Sequence, residues 1–348
     1  MWLTNHRFLK TFRGTKLSLL NSVNRHLIEF FSFRCFAVKL LVAVALILSY
    51  GCGQGSDTVV VDFSKTIPVE KPGSMPQDPV PLKVAVGAMV SPKETFIYYR
   101  QLLDYIGERL DRKVEFVQRK TYGEVNELLG EGQIDLAFIC SGPYALRQGR
   151  YGFVLVATPQ VQGSPFYHSY LIVNKNAPSK KLEDLRGRVF AFTDPDSNTG
   201  RLVPTYWLAE MGERPESFFG KTIYTHGHDN SILAVAKNLV DGAAVDSLIW
   251  EYYDQKKSAF TSETRIIRKS EPYGIPPVVA SISLDPNLRE KIRQLLLSMH
   301  LDPAGKRILD AVGINQFIAG QEGWYEPIRR MERTVASLKE KVDGTEKP

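Results

Sequence analysis

The stretch Asp194-Pro-Asp-Ser-Asn-Thr-Gly-Arg-Leu-Val-Pro204 follows an apolar run, Arg188-Val-Phe-Ala-Phe-Thr193, and precedes a helix-forming run, Tyr206-Trp-Leu-Ala-Glu-Met211. A strand that ends in a polar turn and feeds a helix is the repeating unit of an α/β fold. The turn itself is rich in hydrogen-bonding groups: Ser197 and Thr199 bring hydroxyls, Asn198 an amide, and Gly200 lets another group approach the backbone closely. A helix start leaves its first N–H groups without intrahelical partners, and together with the helix dipole these favour an anion. The same residue types also cap helices with no ligand involved, so the local sequence admits both readings.

The alternation continues in both directions. Lys83–Ala88, Lys113–Val117, Ile134–Cys140, Phe153–Ala157, Tyr167–Val173, Val189–Phe192, Ile223–Thr225, Arg265–Ile267 and Val278–Ser283 read as strands. Phe96, Tyr99, Leu103, Ile106 and Leu110, spaced by three and four, mark an amphipathic helix. Tyr122–Leu129, Arg201–Met211, Ser231–Leu239, Leu288–Met299 and Pro303–Ala311 also read as helices. Apolar strands between amphipathic helices predict α/β layers with mainly parallel sheets. Two lobes suit the length better than one sheet. The run Tyr167-His-Ser-Tyr-Leu-Ile-Val-Asn-Lys175 is a natural crossover, and the Pro/Gly-rich Glu271-Pro-Tyr-Gly-Ile-Pro-Pro277 a natural return. Residues 82–170 with 275–330 are then the first lobe, 171–274 the second, and 331–348 a charged, helix-prone tail.

Charge and cysteine usage narrow the function classes. The 348 residues include 44 Lys and Arg against 38 Asp and Glu, a formal charge of +6. Seven of those cations and one acid, Glu29, fall in residues 1–51, which leaves 37 of each sign in residues 52–348. A body of zero net charge has no overall basic field for nucleic acid, and no nucleic-acid partner is expected. The N-terminal cations precede Leu40-Leu-Val-Ala-Val-Ala-Leu-Ile-Leu48, which is too short to anchor in a bilayer but has the length of a signal-peptide core. Ser49-Tyr-Gly-Cys52 then resembles a bacterial lipoprotein box, with Ser49 where that pattern prefers Leu. Residues 1–51 are therefore expected to be an export signal, Cys52 to carry lipid, and the Pro-rich 52–81 to be a tether that holds the body away from the membrane, in the periplasm or at the outer cell-membrane face. The long basic lead also fits a translation start further downstream, for instance at Val38. Cys140 alone remains in the body, reads as a small buried hydrophobe, and cannot form an intramolecular disulfide. No Cys/His cluster has metal-ligand spacing, and no cofactor is expected.

Asp194–Gly200 followed by Leu202-Val-Pro204 resembles the signature of the substrate-binding proteins of phosphate, phosphite and phosphonate ABC importers. Ser164–Lys175 is similar to their crossover strand; Gly142-Pro-Tyr144, Gly227-His228 and Val240–Asp246 resemble further elements, in the family's order, over about residues 82–330. The resemblance implies the type II periplasmic binding protein fold: two α/β lobes, two crossover strands and a ligand in the interlobe cleft. Carried over residue by residue, it implies that Ser197, Asn198 and Thr199 cradle an anion, that Tyr122 and Tyr167 contact phosphoryl oxygens, that His228 donates to the same group, and that Tyr144 belongs to the first lobe's side of the cleft. Asp246 lies where an acid can accept a P–OH proton. Sulfate has no such proton at neutral pH, so one buried acceptor left unpaired would disfavour it by about 2–5 kcal/mol. On residue type alone other roles stay open: Tyr122 on the solvent side of its helix, Tyr167 in the core, His226 as the donor in place of His228, Asp246 as a cap before Leu248.

The implied function is capture of a phosphorus oxyanion and its delivery to the permease and ATPase of an importer. A lipoprotein that presents the same closed form to a signalling receptor is the alternative. The neutral residues around Ser247-Leu248 and Ile275-Pro276-Pro277 favour a small inorganic oxyanion or a short alkylphosphonate over an aminophosphonate. Catalysis is not expected: the sequence has no Gly-x-Ser-x-Gly elbow, no P-loop and no His-Glu-x-x-His.

Overall fold

The structure is a computed structural model, and it describes residues 80–345. The export segment, Cys52 and nearly all of the tether lie outside the described residues. Two mixed sheets dominate. The first takes strands β1 (Leu82–Val86), β2 (Val114–Val117), β3 (Leu136–Phe138) and β4 (Val154–Gln160). The second takes β6 (Ser169–Asn174), β7 (Val189–Phe192), β8 (Lys221–Tyr224), β9 (Gly242–Asp246) and β10 (Thr264–Lys269). The chain then returns to the first sheet as β12 (Val278–Ala280) and β13 (Gln316–Ile318). Between the sheets, β5 (Phe166–Tyr167) and β11 (Tyr273–Gly274) pair antiparallel as a two-stranded ribbon.

The order in the first sheet is β13-β4-β12-β3-β1-β2, and in the second β10-β6-β9-β7-β8. The expectation of mainly parallel sheets needs correcting. Each sheet has a parallel trio, β2-β1-β3 and β8-β7-β9, and its remaining pairs are antiparallel. The parallel trios come from βαβ units, whereas strands that follow a crossover enter from the opposite end. The run read as one crossover strand from Tyr167 is divided at His168, whose amide donates to Ser247 Oγ at 3.0 Å while Nδ1 lies 2.9 Å from the Ser270 carbonyl.

The helices are α1 (Pro92–Leu110), α2 (Tyr122–Gly130), α3 (Ser141–Tyr151), α4 (Val203–Ala209), α5 (Pro215–Phe218), α6 (His228–Ala236), α7 (Ser247–Gln255), α8 (Pro286–Ser298), α9 (Pro303–Ala311) and α10 (Glu326–Thr345). Their boundaries follow local chemistry. α2 opens on a capping box: Thr121 Oγ1 accepts the Glu124 amide and the Glu124 carboxylate accepts that of Thr121. α1 starts at Pro92 and buries Leu102, Leu103 and Ile106 against the first sheet. α10 takes up most of the stretch expected to be a tail. Ile328 and Met331 are buried there, and the helix packs on both α3 and α4.

Candidate functional site

Strands β3, β7 and β9 end on one side of the two sheets, and helix starts follow each of them. The segment after β7 does not enter an α-helix directly. Residues Asn198–Leu202 form one turn of π-helix, and α4 continues from Val203. Ser197 caps this turn, its Oγ accepting the Gly200 amide at 3.0 Å. A side chain at Gly200 would meet Thr193 Cβ at 2.6 Å, so this turn can sit on the end of β7 only with glycine there. The Thr199 carbonyl is held by Ser169 Oγ at 2.7 Å, which ties the turn to β6. π-turns inside helices are uncommon and recur at functional sites.

Five of the eight residues singled out from sequence meet around this turn through direct contacts or adjacency. Asn198 Nδ2 donates to the Tyr167 hydroxyl at 3.1 Å, and that hydroxyl also lies 2.5 Å from Ser141 Oγ at the start of α3. Ser197 and Thr199 flank Asn198. Tyr122 starts α2, and its amide donates to Asp194 Oδ2, the carboxylate at the head of the turn, at 3.1 Å. Burial, and then the nearby Cys140 and acids, hold the Tyr122 and Tyr167 phenols well above their usual range, so both are neutral donors.

His228 and Asp246 form the second half of the cluster. His228 starts α6; its amide donates to the Met89 carbonyl of the first lobe at 2.8 Å. Its Nδ1 accepts the Asp246 amide at 3.1 Å and lies 3.1 Å from Thr193 Oγ1. With Nδ1 accepting, the ring's proton sits on Nε2, which makes that atom a donor. Burial pushes the His228 pKa down to about 3, so the imidazole is neutral. The Asp246 carboxylate caps α7, taking the Leu248 amide at 2.8 Å, and burial pushes its pKa up to about 7. The cap and the buried acid, alternatives in the sequence, coexist on one side chain.

Tyr144 goes elsewhere. Its ring is buried against Tyr325 and its hydroxyl donates to Glu322, because α3 turns that side chain toward the segment before α10. It packs behind the cluster and offers no free donor to it. His226, the competing histidine, has positive φ and stacks on Tyr224. Among the described residues no group of His, Cys, Asp and Glu is disposed to hold a metal ion.

Three polar atoms of the cluster have no hydrogen-bond partner in the protein: the Tyr122 hydroxyl, Thr199 Oγ1 and Asn198 Oδ1. The three residues are 2%, 0% and 0% exposed. Leaving a buried polar group unsatisfied costs about 1–3 kcal/mol, so such groups are rare without a reason. Around them converge the starts of α2, α3, α6 and α7 with the π-turn, so backbone N–H groups and dipoles supply positive potential without a cationic side chain.

Sequence reading missed Ser141, Thr193 and Asp194 as parts of this arrangement. Ser141 carried the same signal as Ser197, a hydroxyl residue just past an apolar strand; Thr193 is the last residue of the apolar run before the turn. Asp194 opens the motif with no role of its own in the sequence reading, whereas it accepts the Tyr122 and Asp196 amides, and burial raises its carboxyl above the usual range.

The architecture is that of the type II periplasmic binding proteins, with two α/β lobes and a cleft between them. It matches a binding protein component of an ABC phosphonate transporter from Pseudomonas aeruginosa with a TM-score of 0.70, at 22% identity, over 74% of this chain and 87% of that one. It matches PhnD1 of Prochlorococcus marinus in complex with methylphosphonate with a TM-score of 0.66, at 21% identity, over 73% and 98%. Residues 84–325 match the family described as ABC transporter, phosphonate, periplasmic substrate-binding protein, and the chain belongs to that family. Similar sequences include the phosphonates-binding periplasmic protein of Escherichia coli, 32% identical over 52% of this chain, and the phosphate-import protein of Mycolicibacterium smegmatis, 28% identical over 65%. The match spans 54% of the Escherichia coli protein's own length and 74% of the Mycolicibacterium protein's.

Proposed function

We propose that this protein is the substrate-binding component of an ABC importer. It captures a phosphorus oxyanion (phosphate, phosphite or a short alkylphosphonate) in the interlobe cleft and delivers it to a membrane permease, with no chemistry of its own. Ser197, Asn198, Thr199, Tyr122, Tyr167 and His228 donate to the oxyanion, Asp246 handles its proton, and Tyr144 supports α3 from behind. The lipid anchor at Cys52 holds the body at the periplasmic or outer membrane face. The observation that carries the reading is the pair of unpartnered buried hydroxyl donors, Tyr122 and Thr199, beneath converging helix starts. Family membership and the fold of the solved relatives support it.

The test is isothermal calorimetry of the mature body with phosphate, phosphite, methylphosphonate and sulfate, on the wild type and on Thr199→Val and Tyr122→Phe. Each substitution deletes a polar atom that has no protein partner, so the ligand-free melting temperature should hold or rise. Oxyanion affinity should fall roughly tenfold to a hundredfold, the value of a hydrogen bond to a charged group. Binding no tighter than millimolar for every anion would remove the assignment.

A further inference from the structure

Next to the anion cluster lies a cavity of about 160 Å³. Its wall is largely carbon: Val86, Phe138 and Ile275 from the first lobe's side, Ile249 and Tyr252 from α7, and Tyr99 from α1. Two features join it to the cluster. Asp246 lines it, and the Met89 that flanks it packs on Tyr122 and Cys140 and accepts the His228 amide through its carbonyl. A small inorganic anion needs no such space. Apolar cavities of about 150 Å³ hold a benzene ring, so this one matches a phenyl group or a four-carbon chain.

We propose that the ligand is a phosphonate whose substituent is apolar and larger than methyl, its oxyanion head on the π-turn and its tail in this chamber. The inference rests on the oxyanion reading above and deepens it. An amine-bearing tail fits less well. The acid besides Asp246 on the wall, Glu251, accepts from the Tyr170 hydroxyl, and its other oxygen lies 3.5 Å from Gln162 Nε2. Both of its oxygens already accept hydrogen bonds, and most of the lining around it is carbon.

A titration series on the wild-type body tests this: phosphate, then methyl-, ethyl-, propyl-, butyl- and phenylphosphonate, with 2-aminoethylphosphonate as the near-isostere of the propyl compound. Each buried methylene should tighten binding about threefold to fourfold, and phenyl should bind at least as well as butyl. Ile249→Asn should pull the butyl-to-methyl affinity ratio toward one. If phosphate and methylphosphonate bind but affinity stays flat or falls along the series, the chamber has no role and the oxyanion reading stands. If the aminoethyl compound outbinds propyl, the tail is cationic and the proposal is overturned. If nothing in the series binds, the oxyanion reading itself fails.

Discussion

Asp246 combines three properties that rarely meet in one carboxyl: it caps a helix, it is buried, and its backbone amide fixes the tautomer of His228. With its pKa near 7, the group loses its proton across neutral pH. If Asp246 contacts the bound oxyanion as proposed, that contact needs one proton. Protonated phosphate and phosphonate oxygens can bring it, but sulfate cannot, so for sulfate the proton must come from Asp246. Below about pH 7 the neutral carboxyl donates and sulfate is accommodated; above it the carboxylate repels the dianion. Sulfate affinity should therefore rise as pH falls from 8 to 6, approaching tenfold per unit on the alkaline side, with phosphate changing less. Asp246→Asn, a permanent donor, should flatten the sulfate profile and narrow the phosphate-to-sulfate gap. An unaltered profile in calorimetry of this variant between pH 5.5 and 8 would detach Asp246 from the proton. At this scale the sequence was informative because residue type limits chemistry. It placed the hydroxyls, the histidine and the acid, but not the direction of Tyr144, which depends on a contact with Glu322 far along the chain.

At the scale of elements, strands and long helices were readable because their period follows from which face is buried. The face of α1 that carries Leu103 and Ile106 is an example. The π-turn was not readable: Arg201–Met211 has the look of an ordinary α-helix, and the widened turn before it depends on tertiary contacts. Ser169 holds the Thr199 carbonyl, and the floor of the turn is the Thr193 side chain. The opposing element is α3, and it approaches closely. A side chain at Gly142 would meet the Asp196 carbonyl at 2.6 Å and the Asn198 amide nitrogen at 3.0 Å. Both targets are backbone, which cannot swing aside. Gly142→Ala should therefore hold the start of α3 away from the turn and lower oxyanion affinity at least tenfold. Gly149, on the same helix, is the control, because an added methyl there would meet nothing within 4 Å. Gly149→Ala should bind normally and, by removing a helix glycine, gain up to about 1 kcal/mol of stability. Equal affinity in the two variants would mean that α3 and the turn do not need to meet.

At the scale of the whole molecule, backbone amides among the described residues bridge the lobes, including His228 to the Met89 carbonyl, Tyr122 to Asp194, and Ser91 to both oxygens of Asp229 at 3.0 and 3.1 Å. The ribbon of β5 and β11 connects the two sheets. Sequence order made two lobes and a crossover legible, because the apolar runs fall into two groups separated by Pro and Gly. The antiparallel strands and the docking of α10 were not legible, since both are set by where distant segments return. Bridges made by backbone amides are likewise invisible to residue type. Of these bridges, the Ser91–Asp229 pair is the best probe of closure, because Asp229 stands in the first turn of α6 but outside the proposed oxyanion cluster. A closed form is favoured only by contacts that the open form lacks. Asp229→Ala removes such contacts without touching a ligand donor. The ligand should still bind at an almost unchanged association rate and leave faster, with affinity lower by roughly tenfold to a hundredfold, the value of one charge-assisted hydrogen bond. Stopped-flow fluorescence from Trp207, Trp250 and Trp324 can follow both rates. A wild-type dissociation rate in this variant would show that closure is held by the ligand alone; a slower association rate would mean that the bridge forms before capture.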